Sequence, residues 1–214
     1  MLIVNQKKML KNKIVSITAQ LTSILFHPLL IPTLGFLLLF NSGFYFAVLP
    51  WNVKKFILIV VFLSTCVLPA LTIGLLALNP KFDISMNKNT DRVLPLILSS
   101  IYYYLGYQVF QKLPVFSIYS FFLVASILVQ IALLLISLRW KISAHSAAIG
   151  GLVGIFFGMA FRLHQCSLPI LSGLILIAGM VGTSRLILEK HTSSQVYAGF
   201  LLGFLIMNMV IYYI

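Results

Sequence analysis

VFSIYSFFLVASILVQIALLLISL, residues 115–138, runs its whole length without a charged side chain. As an α-helix rising 1.5 Å per residue it is about 36 Å long. That is enough to cross a hydrocarbon core of about 30 Å. In lipid a backbone N–H or C=O has no water to bond, so such a run must close its hydrogen bonds within itself as a helix. Outward from this stretch, comparable runs occupy 21–41, 56–78, 93–110, 145–161, 167–183 and 196–214. The sequence predicts an all-α, polytopic transmembrane helical bundle of about seven spans, forming one integral membrane domain over 1–214. Composition agrees: 61% of residues are hydrophobic and 8% charged, whereas a soluble domain carries roughly 25% charged residues. Trp51, Trp140, Tyr212 and Tyr213 lie near span ends, where amphipathic rings prefer the interface.

The first apolar stretch is the least regular. Residues 14–51 hold no Asp, Glu, Lys or Arg, but they include Pro28, Pro32 and Gly43. These breakers divide the stretch either into an interfacial piece plus one span or into a tight hairpin of two, and the first division is preferred. The basic start, Met1 to Lys13 of the N-terminal segment 1–20, precedes a long apolar stretch that is expected to be a retained anchor, because it is too long for a signal peptide and shows no small-residue cleavage site.

Fifteen Lys and Arg face only Asp83, Asp91 and Glu189, for a net charge of +12. Basic loops of this kind meet anionic headgroups or hold an anionic substrate. The cations are scattered between spans, which argues against a nucleic-acid module. So few carboxylates argue against a carboxylate-bridged metal site and against a paired-carboxylate hydrolase. Cys66 lies in an apolar run and Cys166 in a connection, with no zinc spacing between them. No cofactor or metal is expected. Gly150, Gly154 and Gly158, and again Gly199 and Gly203, recur every four residues, the spacing that lets helix backbones approach closely.

Threading the spans back and forth puts 79–92, 139–145 and 184–195 on one membrane face. These segments hold Lys81, Lys88 and Arg92; Arg139, Lys141, Ser143 and His145; and Ser184, Arg185, Lys190 and His191. The other loops hold little beyond Lys54, Lys55, Lys112, Arg162 and His164. Cations, imidazoles and hydroxyls on one face suit an oxyanion. His191 and Gln195 are one helical turn apart, and Thr192, Ser193 and Ser194 are candidate N-caps for a helix whose N-terminus attracts phosphate. Arg139 and Lys141 flank a span, where basic residues set topology. His27, beside Pro28, is either a functional ionisable group at membrane depth or a neutral ring bonded to a carbonyl that the proline frees.

These residues resemble the three ordered motifs of the type-2 phosphatidic acid phosphatases (the lipid phosphate phosphatases and their haloperoxidase relatives): Lys-x6-Arg-Pro, Pro-Ser-Gly-His and Ser-Arg-x5-His-x3-Asp. Ser184-Arg185-x5-His191-x3-Gln195 matches the third in spacing and differs in its last residue. Ile142-Ser143-Ala144-His145 keeps the serine and histidine of the second. Arg92-x2-Pro95, with Lys88 four residues upstream, is a loose form of the first. The motif region covers 81–199, over half the chain. The resemblance implies a six-helix core with a possible extra N-terminal helix, and a lipid phosphate or diphosphate phosphatase that needs no metal. His191 would be the nucleophile that becomes a phosphohistidine, and His145 the general acid and base. Gln195 would orient His191 in place of the family's aspartate. Arg92 and Arg185 would hold phosphoryl oxygens, Ser143 and Ser184 would add hydroxyls, and Lys88 or Lys141 a point charge.

The implied partners are the lipid bilayer and a substrate such as undecaprenyl diphosphate, phosphatidylglycerol phosphate or phosphatidic acid, with no nucleic acid. The implied place is the outer face of a bacterial cytoplasmic membrane. Charge counting cuts across that last implication. With one span before residue 56, the motif-bearing face also carries the N-terminus and eleven of the fifteen Lys and Arg, which would make it cytoplasmic. With a hairpin the count is seven against eight. The amide at Gln195, the missing proline and glycine around Ser143 and the shifted lysine leave a second reading open: an impaired phosphatase-fold protein that binds or carries a lipid or anion.

Overall fold

The computed structural model describes residues 2–44, 47–78, 90–114, 117–164 and 167–213, the side chains of 2–12 and 90 excepted. All regular structure among these residues is helical: α1 (Leu2–Leu25), α2 (Ile31–Phe40), α3 (Trp51–Phe62), a π-helical turn (Leu63–Val67), α4 (Leu68–Leu76), α5 (Thr90–Gln111), α6 (Ser117–Ser137), α7 (Ala144–Leu163), α8 (Leu168–Ile187) and α9 (Ser193–Tyr213). Among the described residues six helical rods are long and apolar enough to cross a membrane: α3 through α4 taken as one, then α5, α6, α7, α8 and α9. The chain is a multi-pass membrane protein with an all-helical bundle fold.

The expected span over 21–41 does not form as one rod. α1 ends at Leu25, and the carbonyl of His27 accepts from the N–H groups of Leu30 (2.8 Å) and Ile31 (3.2 Å), closing a corner. Pro32 then sits in the first turn of α2, where its missing N–H is no loss. At ten residues, α2 is about 15 Å long, half of the hydrocarbon thickness. The apolar part of α1, Lys13–Leu25, is also short, so the seventh expected span is replaced by two helices meeting at a corner. α2 is nonetheless core: Phe36 and Leu39 are fully buried, and the Phe36 ring packs 4.7 Å from that of Phe122. The π turn before α4 has a similar origin. Pro69 follows it in the first turn of α4, and a proline inside a helix breaks the regular backbone ladder.

The closest helix pair is α7 with α9. The two run parallel, with Gly150, Gly154 and Gly158 set against Phe200, Phe204 and Asn208. A Cβ on Gly199 would lie 2.5 Å from the Ser143 carbonyl oxygen, and one on Gly158 3.1 Å from that of Asn208. At Gly150, Gly154 and Gly203 it would run into the carbonyl oxygens of Phe200, Phe204 and Ala147. The glycines read as packing positions therefore form one seam at which backbones touch. At its far end Arg162 donates to the carbonyls of Ile211 (3.1 Å) and Tyr212 (3.3 Å), capping α9, where a cation complements the helix dipole.

α8 turns into α9 through a Schellman arrangement. Lys190 N–H donates to the Arg185 carbonyl and Glu189 N–H to that of Leu186, with Glu189 left-handed at φ 52°. A side chain in that conformation costs about 1 kcal/mol.

Two outcomes follow for thermal unfolding of the purified protein in detergent. Gly203→Val should lower stability by about 2 kcal/mol or more, and an unchanged midpoint would show that the seam is not tight. Glu189→Gly should raise stability by up to about 1 kcal/mol by relieving the left-handed residue.

Candidate anion site at one end of the bundle

Arg92 begins α5, Ser143 and His145 begin α7, Arg185 lies in the last turn of α8, and His191 and Gln195 flank the start of α9. The structure gathers these residues at one end of the bundle. Arg92 Nη1 donates to the Ile142 carbonyl (3.4 Å), which ties α5 to the entry of α7. Ser143 N–H donates to the Gln195 carbonyl (3.3 Å), which ties α7 to α9.

Ser143 is the N-cap of α7 and fully buried. Its hydroxyl oxygen accepts from the Ser146 N–H (3.3 Å) and the Ser146 hydroxyl (3.0 Å). A serine oxygen has two acceptor positions and one O–H, so Ser143 contributes to the site as a donor. The helix forms this cap without the proline and glycine that flank the serine in the motif it resembles.

Gln195 has two tasks. Its Oε1 accepts from the Thr192 N–H (3.1 Å) and lies 3.3 Å from His191 Nδ1. Thr192-x-x-Gln195 is thus half of a capping box, in which the third helical residue reaches back to the cap N–H. The same oxygen fixes the imidazole: with Nδ1–H donating to it, the lone pair of His191 lies on Nε2. Burial, and next the charge of Arg185, push the pKa of His191 down to about 4. The Gln195 bond and the Lys141 carbonyl act in the opposite direction, and Arg92 adds to the depression. His191 is therefore neutral at neutral pH.

Arg185 is the centre of the cluster. Its charge reaches His27, His145 and His191, and that of Arg92 reaches both Arg185 and His191. Nη1 of Arg185 donates to the Ser23 hydroxyl (2.6 Å). Its Nε is buried with no hydrogen-bond partner among the described residues. A buried donor without a partner is uncommon, and one on a guanidinium beside other cations is best satisfied by an anion.

Some expectations change. The Ser184 hydroxyl donates to the Val181 carbonyl within its own helix (2.7 Å), so in this structure its hydrogen is turned away from the site. Lys88, with Lys81, lies outside the described residues. Lys141 is half-buried and meets His191 through its carbonyl. Arg139 is exposed. His27 bonds no freed carbonyl among the described residues; its Nδ1 accepts from the Leu29 N–H (3.3 Å). Instead, the His27 ring stands edge-on to that of His145 at 5.2 Å, and His145 Nε2 is 3.4 Å from the Ser23 hydroxyl. Ser23 was not foreseen at all. It is one of four hydroxyl residues between 16 and 23, and no pattern separates it from the others.

Below the site a cavity of about 110 Å³ opens between α2, α5, α6, α7 and α9. Pro28 and Leu29, next to His27, and Ala144 and Ala148, around His145, form part of its mostly apolar wall. Among the described residues no three His, Cys, Asp or Glu side chains are grouped to hold a metal ion. No family model matches the chain, and neither a curated protein nor a solved structure matches it.

A titration of the His191 imidazole by NMR tests this electrostatic picture. Gln195→Glu keeps the reach and adds a negative charge, which favours imidazolium, so the pKa should move upward from about 4 by about 1–3 pH units. An unmoved titration would mean that Gln195 does not hold the ring.

Proposed function

We propose that the protein is a membrane-embedded phosphatase of lipid phosphates or diphosphates that works through a phosphohistidine, a divergent relative of the type-2 phosphatidic acid phosphatases. The observation that carries this reading is Arg185. It is a half-buried guanidinium whose buried Nε has no hydrogen-bond partner among the described residues, and its charge acts on both the neutral imidazole of His191 and that of His145.

In this mechanism His191 Nε2 attacks phosphorus, the bond from phosphorus to the lipid oxygen breaks, and His145 gives that oxygen its proton. Water then attacks the phosphohistidine, His145 takes the water proton, and phosphate leaves with His191 neutral again. Arg92 and Arg185 hold phosphoryl oxygens through the forked geometry of guanidinium, Ser143 adds an O–H, and Lys141 and Lys88 add positive charge. The apolar cavity below His145 suits the hydrocarbon of a lipid alcohol. We place the site at the outer face of a bacterial cytoplasmic membrane, by the same resemblance.

A second reading, an anion or lipid carrier on this scaffold, is favoured by Gln195. An amide orients the imidazole but brings no charge to stabilise a phosphohistidine cation, and the analogous amide in a Ser-His-Asp triad costs about 10⁴ in turnover. Phosphate release from a panel of lipid phosphates in liposomes separates the two. His191→Ala should reduce release by about 10³ or more, and undiminished release would remove the nucleophile. His191 must be neutral to attack, so the acid-side fall of kcat/KM should come near the value of about 4 set in the folded protein and not near 6.5.

A further inference from the structure

We propose that the corner joining α1 to α2 is part of the anion site, with Ser23 a phosphoryl-binding residue and His27 a positioning residue for His145. This rests on the reading above only in taking a phosphoryl group as the ligand.

One hydroxyl touches two groups that the site needs. Ser23 Oγ receives Arg185 Nη1 at 2.6 Å and lies 3.4 Å from His145 Nε2. A hydroxyl oxygen has two acceptor positions and one O–H, so Ser23 Oγ accepts from both Arg185 and a protonated His145 Nε2 and keeps its own hydrogen for a third group. It therefore occupies the place of an oxygen shared by the two groups. When a phosphoryl group enters, the Ser23 O–H donates to a phosphoryl oxygen. Arg185 keeps its hold on Ser23 Oγ, and the Nε2 proton of His145 is released to the departing oxygen and regained from the attacking water.

His27 is four residues further on, beyond the end of α1. Because its Nδ1 accepts from the Leu29 N–H, the neutral ring carries its proton on Nε2. The two N–H groups bonded to the His27 carbonyl hold the corner rigid, so its ring stands fixed at a steep angle to that of His145. α1 packs along α8, the helix that carries Arg185, so the corner and the guanidinium move as one unit.

Binding of inorganic phosphate to the full chain in detergent, followed by calorimetry, reads the role of Ser23 without requiring turnover. Ser23→Ala should weaken binding about ten- to hundredfold, the worth of one hydrogen bond to a charged acceptor, and Ser23→Thr should restore most of it. In the lipid phosphate assay Ser23→Ala should raise KM. His27→Ala should lower kcat about tenfold, and His27→Phe, which keeps a ring edge, should recover most of it. Equal or tighter phosphate binding by Ser23→Ala would overturn the proposal, because the hydroxyl would then be a structural filler. A wild-type chain that binds phosphate but releases none from any lipid sinks the phosphatase reading and leaves the Ser23 assignment standing on binding alone. A wild-type chain that binds no phosphate overturns both.

Discussion

The contact on which the site depends is backbone against backbone: α7 and α9 pressed together along Gly150, Gly154, Gly199 and Gly203. In lipid, helices gain nothing from hiding apolar side chains from water, so close packing and polar contacts must hold them. The seam supplies the packing, and it fixes geometry as well as adhesion. Because the two helices run parallel in tight register, their N-termini end side by side, and the Ser143 N–H reaches the Gln195 carbonyl. One N-terminus presents His145 and the other follows His191. A wider crossing would separate the two imidazoles before any residue of the site changed.

Electrostatics act on top of that frame. Gathering Arg92, Arg185 and three histidines in partly buried surroundings is unfavourable unless some of the charge is removed or matched. The imidazole of His191 responds by staying neutral. Arg185 cannot do so, since a guanidinium does not deprotonate in proteins, and its Nε, without a partner among the described residues, favours an anion. The site is thus tuned by burial more than by paired charges.

The spans from 56 onward were legible in the sequence because length and apolarity decide them. The shared face of Arg92, His145, Arg185 and His191 was legible too, because parity of crossings decides it. The glycine seam was readable from its spacing of four. The α1–α2 corner was not. Pro28 and Pro32 announce a break, but whether the pieces form a span, a hairpin or a corner depends on tertiary packing, here the burial of Phe36 among the aromatic rings. Ser23 had no signal, since its meaning comes from Arg185 at the other end of the chain. Ser184 shows the opposite limit: its place in the pattern suggests a ligand, and the pattern gives no sign that its hydroxyl bonds a carbonyl of its own helix.

Gln195 joins these lines. A carboxylate at that position would hold the imidazole, share the burden of the cations and stabilise a positively charged phosphohistidine. The amide does only the first, and it serves the helix cap with the same oxygen. On the proposed phosphatase reading, leaving out that negative charge would strengthen the positive potential that a phosphoryl group meets on entry and weaken support for the intermediate that follows. The exchange would move the site's free energy from turnover toward binding. A corner that places a further hydroxyl between Arg185 and His145 would act in the same direction, adding a grip on a phosphoryl group where the nucleophile is less well supported.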